Sequence, residues 1–191
     1  MTEPATVLSG ATTSELMDIF TTLQAPSITA MDGEFRATLL RQPSIAAVVG
    51  GYVSVNNPAI PWLGKGFRPI DAVSGRGYNT FTQFGSVVQR YPMLTQIAPS
   101  RYDGKPTFCL IYRACHSLCA TIHMVDEVRQ YAPDVYLGIG TCGLTTKARE
   151  LPRPFMLEGP PAGYRGDVGK PRAGFSPGRR EIPGAFAARE M

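Results

Sequence analysis

Between Met31 and Leu39 the chain alternates strictly. Met31, Gly33, Phe35, Ala37 and Leu39 fall on one side, and Asp32, Glu34, Arg36 and Thr38 on the other. A period of two predicts a strand with one buried face. The preceding stretch "TTSELMDIFTTLQAP" has a different rhythm, with Leu16, Ile19, Phe20 and Leu23 recurring at helical spacing. It predicts an amphipathic helix over Thr13–Gln24, capped by Thr13 or Ser14 and stopped by Pro26. So short a helix is marginal alone and must pack on something. "PSIAAVVGGYV" reads as a brief helix with Pro43 in its first turn, lying over an opening. Further on, "NTFTQFGSVVQRY", "MLTQIAPSRYDGKPTFCLIYR", "DVYLGIGTCG" and "RPFMLEG" are strand-like, and Asp103-Gly104 marks a hairpin turn. One helix followed by roughly seven or eight strand-like runs, without βαβ alternation, predicts a mainly β chain built as an antiparallel meander. A meander of that length closes into a barrel, because an open one leaves edges unpaired.

The ends read differently. The first dozen residues are expected to be loose. Residues 161–191 are rich in Gly and Pro and predict an extended tail, held on the body or on a partner by Tyr164, Phe175 and Phe186. The division is therefore one barrel domain, 1–160, and a tail, 161–191.

"RACHSLCATIHMVDEVR", Arg113 to Arg129, concentrates candidate chemistry. On a helix, His116, Cys119, His123 and Asp126 or Glu127 would share a face and look like a metal site. On a strand, His116 and His123 point to opposite sides. Cys115, Cys119, His123 and Glu127 then share a face, but four residues of strand span about 13 Å, too far for one zinc. The β-branched Thr121, Ile122, Val125 and Val128 favour the strand. Strands are thus predicted over 105–113 and 118–129, with no metal held by His116 and His123 together. Asp126 shares a face with Leu118, Ala120, Ile122, Met124 and Val128. A carboxylate there either pairs with Arg113 or Arg36 or anchors a ligand. Glu127 and Arg129, on the other face, are expected in solvent. "PWLGKGF" has two readings as well: Trp62 on a pocket wall, or Trp62 plugging a barrel end with Lys65 in solvent.

Charge narrows the partners. The chain carries a net +4, and the tail accounts for +3 of it: Arg165, Lys170, Arg172, Arg179, Arg180 and Arg189 against Asp167, Glu181 and Glu190. The body has no basic stripe to follow phosphates, so nucleic acid is not an expected partner. No apolar run approaches the roughly 20 residues of a membrane span. The N-terminus lacks a secretory pattern, so the expectation is a cytoplasmic protein whose cysteines (Cys109, Cys115, Cys119, Cys142) are buried thiols. "GKGFRP" is not a P-loop, and no nucleotide or redox fingerprint is present, so no cofactor is expected.

"LQAPSITAMDGEFRATLL" followed by "PWLGKGF" resembles bacterial proteins with a GXWXG-type domain, and "LIYR", "MVDEVR", "VYLGIGT" and "FMLEGP" are similar to strands of the associated domain of unknown function. Phe35 stands where the signature has tryptophan, and Ala37 where it has the second glycine. A Gly-x-aromatic strand opening a meander also resembles the calycin and lipocalin barrels. The resemblance implies a calycin-like barrel binding a small hydrophobic molecule, with isomerase or cyclase activity in some members. The expected ligand contacts are Arg36, Tyr52, Trp62, Tyr112 and Tyr136, with Phe35 as a further wall. If the protein is an enzyme of isomerase, cyclase or dehydratase type, His123 and Asp126 are the candidate acid–base residues. The alternative is a structural protein whose tail mediates homo-oligomerisation.

Overall fold

The computed structural model describes residues 3–43 and 60–187. Eight antiparallel strands follow one another in sequence order and close on themselves: β1 Gly33–Leu39, β2 Trp62–Pro69, β3 Ser74–Gln83, β4 Ser86–Pro99, β5 Pro106–Ile111, β6 Val125–Ala132, β7 Val135–Thr141 and β8 Arg153–Ala162. Closure is made by β1 on β8, where Arg36 pairs with Glu158 and Leu39 with Phe155. Among the described residues every strand therefore has two neighbours, and the barrel has no free edge to recruit another chain. The expected β4–β5 hairpin turns at Asp103-Gly104, with Gly104 at φ +70°. The β6–β7 hairpin turns at Pro133-Asp134.

Two helices precede the barrel, α1 Glu3–Gly10 and α2 Thr13–Thr22. Residues 3–10 are thus not loose: Ala5 and Leu8 are fully buried. The cap of α2 is Thr12, one residue earlier than expected. Its side chain accepts from Glu15 N while the Glu15 carboxylate accepts from Thr12 N at 2.8 Å. Both helices lie along the outside of the barrel, where Leu8, Leu16 and Phe20 pack on Val135, Leu137, Ile139 and Met156. These strand residues point outward, and Tyr136, Phe155 and Leu157 point inward, into the second core. Strands β7 and β8 are consequently apolar on both faces, as a sheet covered on both sides must be.

The tail wraps the barrel rather than leaving it. Ile182 and Phe175 pack on Ala98, Cys109 and Ile111 of the outer wall. Asp167 is held by Arg68 and Arg76, and the Tyr164 ring lies 4.7 Å from that of Tyr78.

Residues 114–124 correct the sequence reading. Strand β5 stops at Ile111 and is followed by a 3-10 turn, Tyr112–Ala114. Helix α3, Leu118–Thr121, then occupies part of the predicted 118–129 strand, and β6 begins only at Val125. Ser117 caps α3 by accepting from Ala120 N. The local Ser-x-x capping pattern wins here over the β-branched residues, which lie mostly downstream. Two further short helices are α4 Thr146–Glu150 and α5 Gly184–Ala187. The brief helix expected over "PSIAAVVGGYV" lies mostly outside the described residues.

Candidate functional site

The two ends of the barrel are filled differently. At one end the rings of Phe35, Phe67, Phe108 and Tyr136 stack edge-on or tilted, with centroids 5.4–5.6 Å apart. Ile28 and Met31, around a 3-10 turn, complete that packed core. The other end, where β1 and β7 finish and β2, β6 and β8 begin, holds a cavity of about 310 Å³. Leu39, Trp62, Phe81, Ile122, Met124 and Phe155 supply much of its apolar wall.

A polar network stands in that cavity, built on neighbouring positions of adjacent strands. Lys65 on β2 pairs with Asn79 on β3, and Asp126 on β6 pairs with Gly140 on β7. The Lys65 ammonium donates to Asp126 Oδ2 at 2.8 Å, Asn79 Oδ1 at 2.9 Å and Tyr112 OH at 2.6 Å. Tyr112 OH donates in turn to Asp126 Oδ2 at 3.0 Å and accepts from Asn79 Nδ2 at 3.1 Å. Trp62 Nε1 donates to Asn79 Oδ1 at 3.1 Å.

A lysine only 3% exposed is costly unless it is paired. Here the three ammonium protons have three acceptors. The rings of Trp62, Tyr112 and Phe155 also lie 5.2–5.3 Å from Nζ, within cation–π range. Burial, and then the charge of Asp126, push the Tyr112 phenol well above its ordinary range, so it stays a neutral donor. Among the described residues no hydrogen bond reaches the second Asp126 oxygen, Oδ1, which lies against the Cα of Gly140. A Cβ there would sit 3.0 Å from it.

The expected residues separate. Asp126, Trp62 and Tyr112 line the cavity. Tyr136 is buried in the packed end against Phe35, and the Arg36 side chain is exposed on β1. Tyr52 lies outside the described residues. His123 sits in the turn before β6 at φ +51°, and its Nδ1 is buried without a partner. Burial, then Arg113, Arg180 and Arg149, hold its imidazole below the ordinary value. It does not line the cavity. Neither Arg113 nor Arg36 is the partner of Asp126; Lys65 is, and Lys65 is not in solvent. Glu127 and Arg129 are also buried, 2% and 0% exposed, because helices and tail cover the outer wall.

The sequence reading missed Lys65, Asn79, Arg90, Arg153 and Phe155, all of which line the cavity. A signal existed for the first. Lys65 is two residues from Phe67, so the two share the inward face. Gly138 opens no space for a ligand: the Phe155 ring fills its inner face, 2.2 Å from where a Cβ would be.

All four cysteines are free and buried, and burial pushes Cys119, on the cavity wall, up to about 12. No group of three or more His, Cys, Asp or Glu among the described residues is placed to hold a metal, and no described helix is long and apolar enough to cross a membrane.

Fold and cavity together define an eight-stranded antiparallel barrel compatible with small-molecule binding. A crystal structure of a protein from Thermomonospora curvata is similar, with a TM-score of 0.52 and 15% identity over 78% of this chain and 87% of that one. The likeness is one of fold. No family model matches the chain, and no curated protein does.

Proposed function

We propose that the barrel binds one small, largely apolar molecule in its open end, with the polar part of that molecule at the Lys65–Asp126–Tyr112–Asn79 network. The observation that carries this reading is the cavity itself: apolar walls converging on a few fixed polar groups. That composition is usual for ligand sites, and 310 Å³ lies at the low end of their range of about 300–1,000 Å³. The closed meander supports the calycin-like reading of the sequence, whose members use such interiors for hydrophobic ligands.

A second reading, acid–base catalysis of isomerase, cyclase or dehydratase type, is favoured by the uncommitted Asp126 Oδ1. In that reading Asp126 takes up a substrate proton and Lys65 stabilises the carboxylate between turnovers. Tyr112 supplies a hydrogen bond, and the part expected of His123 has no support from its position.

Trp62 is the chain's single tryptophan and lines the cavity, so its emission reports occupancy directly. Native mass spectrometry of freshly purified protein, followed by titration of the released or screened compound against Trp62 emission, tests the reading. The expected result is one ligand per chain, with binding lost in Phe155→Ala and altered in Asp126→Asn. A ligand that binds without changing Trp62 emission and survives both substitutions would place binding elsewhere.

A further inference from the structure

The charges of the cavity do not balance. Among the described residues four charged side chains line it, Lys65, Arg90, Asp126 and Arg153: three cations and one carboxylate. The Lys65–Asp126 pair cancels, leaving two arginines. Arg90 donates to the neutral Gln83 Oε1 and has no ion pair among the described residues. Arg153, at the start of β8, has neither an ion pair nor a hydrogen bond from its guanidinium there, and its Nε is buried without a partner. Of the residues outside the description, 44–59 contain no Asp or Glu, and Glu190 is the one acidic residue. Arg153 is half-buried, and its Nε, withdrawn from water without an acceptor, is the kind of donor that is ordinarily paired.

Register places Arg153 beside the polar network. Arg153 pairs with Gly140, and Gly140 with Asp126, so the three occupy neighbouring positions on β8, β7 and β6. The middle position has no side chain. The Asp126 carboxylate leans over this position, with Oδ1 3.0 Å from where a Cβ would be, so an uncommitted acceptor and the unpaired Arg153 donor stand one strand apart on either side of Gly140.

Resting on the small-molecule reading above, we propose that the ligand is an amphipathic anion, a carboxylate on an apolar body, and that Arg153 is the residue that takes its acid group. Arg90, four strands away around the barrel, adds to the positive field but is already engaged by Gln83. A planar guanidinium matches a carboxylate in two parallel hydrogen bonds, and a charge-assisted pair is stronger than a neutral one. An amine of the same shape would meet three cations and only one carboxylate, which Lys65 already engages.

The test compares decanoate, decanol and decylamine, which share a chain and differ in the head, by Trp62 emission and calorimetry. Decanoate is expected to bind at least about ten-fold more tightly than decanol, the order of one charge-assisted hydrogen bond, and decylamine most weakly. Arg153→Met should lower decanoate to the level of decanol while leaving decanol unchanged, and Arg153→Lys should keep much of the preference. Should Arg153→Met fail to fold, the wild-type ranking and Arg153→Lys still decide. Decanol binding as tightly as decanoate would overturn the anion site and leave the cavity reading standing. An Arg153→Met variant that keeps the preference would overturn the assignment to Arg153. Binding of none of the three would overturn the cavity reading and this inference with it.

Discussion

Asp126 and Glu127 are neighbours in the chain, equally buried and each paired with a cation, yet they serve opposite sides of the barrel wall. Glu127 points outward. It accepts from Ser100 Oγ at 2.5 Å, Arg101 N at 2.9 Å and Arg101 Nε at 3.3 Å, all from the β4–β5 loop. Two residues on, Arg129 grips the same loop through Asp103, at 2.7 Å on both oxygens, and reaches Phe20 O at the end of α2. Every strong contact in this outer network joins one part of the scaffold to another. Asp126 points inward, where Oδ2 is satisfied by Lys65 and Tyr112 and Oδ1 is left beside empty space. Burial and ion pairing are common to both networks, so neither marks a site. The uncommitted atom next to a cavity does.

The sharpest way to break this contrast is to remove Arg129, the largest fully buried side chain. Arg129→Ala strips the clamp from the loop and α2 and leaves Asp103 without its bidentate partner. The expected loss is about 3–5 kcal/mol, the cost of breaking a buried pair from one side, read as a lower urea midpoint. Ligand affinity of the folded fraction should not change. A weaker Trp62 response to ligand in this variant would mean that the two networks are coupled.

Asp126→Asn should cost less, about 1–3 kcal/mol, because the amide oxygen still accepts from Lys65 while the ammonium loses its counter-charge. This variant, unlike the first, should also change binding. Adding Lys65→Met should recover part of the stability, with a coupling of about 0.5–3 kcal/mol in the double-mutant cycle. Additive losses would show that the short Lys65–Asp126 contact contributes nothing specific.

A smaller effect is expected from Gly140→Ala. The new Cβ would lie 3.0 Å from Asp126 Oδ1, so the carboxylate must shift by a few tenths of an ångström. Overpacking of this order costs about 1 kcal/mol. It would fill the bare position between Asp126 and Arg153, so affinity should fall further than stability. Unchanged affinity would remove that gap from the site.

Much of the fold was legible in local pattern. The alternation of β1, the hairpin turn at Asp103-Gly104 and the helical face of α2 each follow from spacing within about ten residues. The inside of Asp126 was legible too, because a carboxylate on an apolar face is an exception. What escaped depends on distant segments. Glu127 and Arg129 read as solvated because the helices and tail that cover them come from the two chain ends. Lys65 read as solvated because its acceptors, Asn79, Tyr112 and Asp126, lie 14 to 61 positions away. Arg153 gave no signal at all: an unpaired arginine is ordinary in a sequence and informative only once it is found at a cavity. Helix α3 escaped for a local reason, a four-residue turn too short to impose its own period.

The tail supplies the mildest test, a half-buried charge cluster where it meets β2 and β3. The hydrogen bond from Arg68 holds the Asp167 carboxyl at about 2, with smaller help from Tyr164 and Arg76 against a modest desolvation cost. A carboxylate depressed in the folded state adds stability above its unfolded value of 3.8 and loses it as pH falls towards 2. The Asp167 side chain is 28% exposed, and solvent screening limits the effect to about 1 kcal/mol or less. Wild type and Asp167→Asn should therefore differ slightly near neutrality, and the difference should close between those two pH values. Salt should separate this cluster from the inner one. At about 1 M the screening length is about 3 Å, so the Asp167 contribution should shrink. The Lys65–Asp126 coupling, at 3–5% side-chain exposure, should persist. Urea unfolding of both variants at low and high salt measures this directly. A salt-sensitive inner pair would mean that water and ions already reach Lys65, and the contrast between the inner and the tail cluster would be lost.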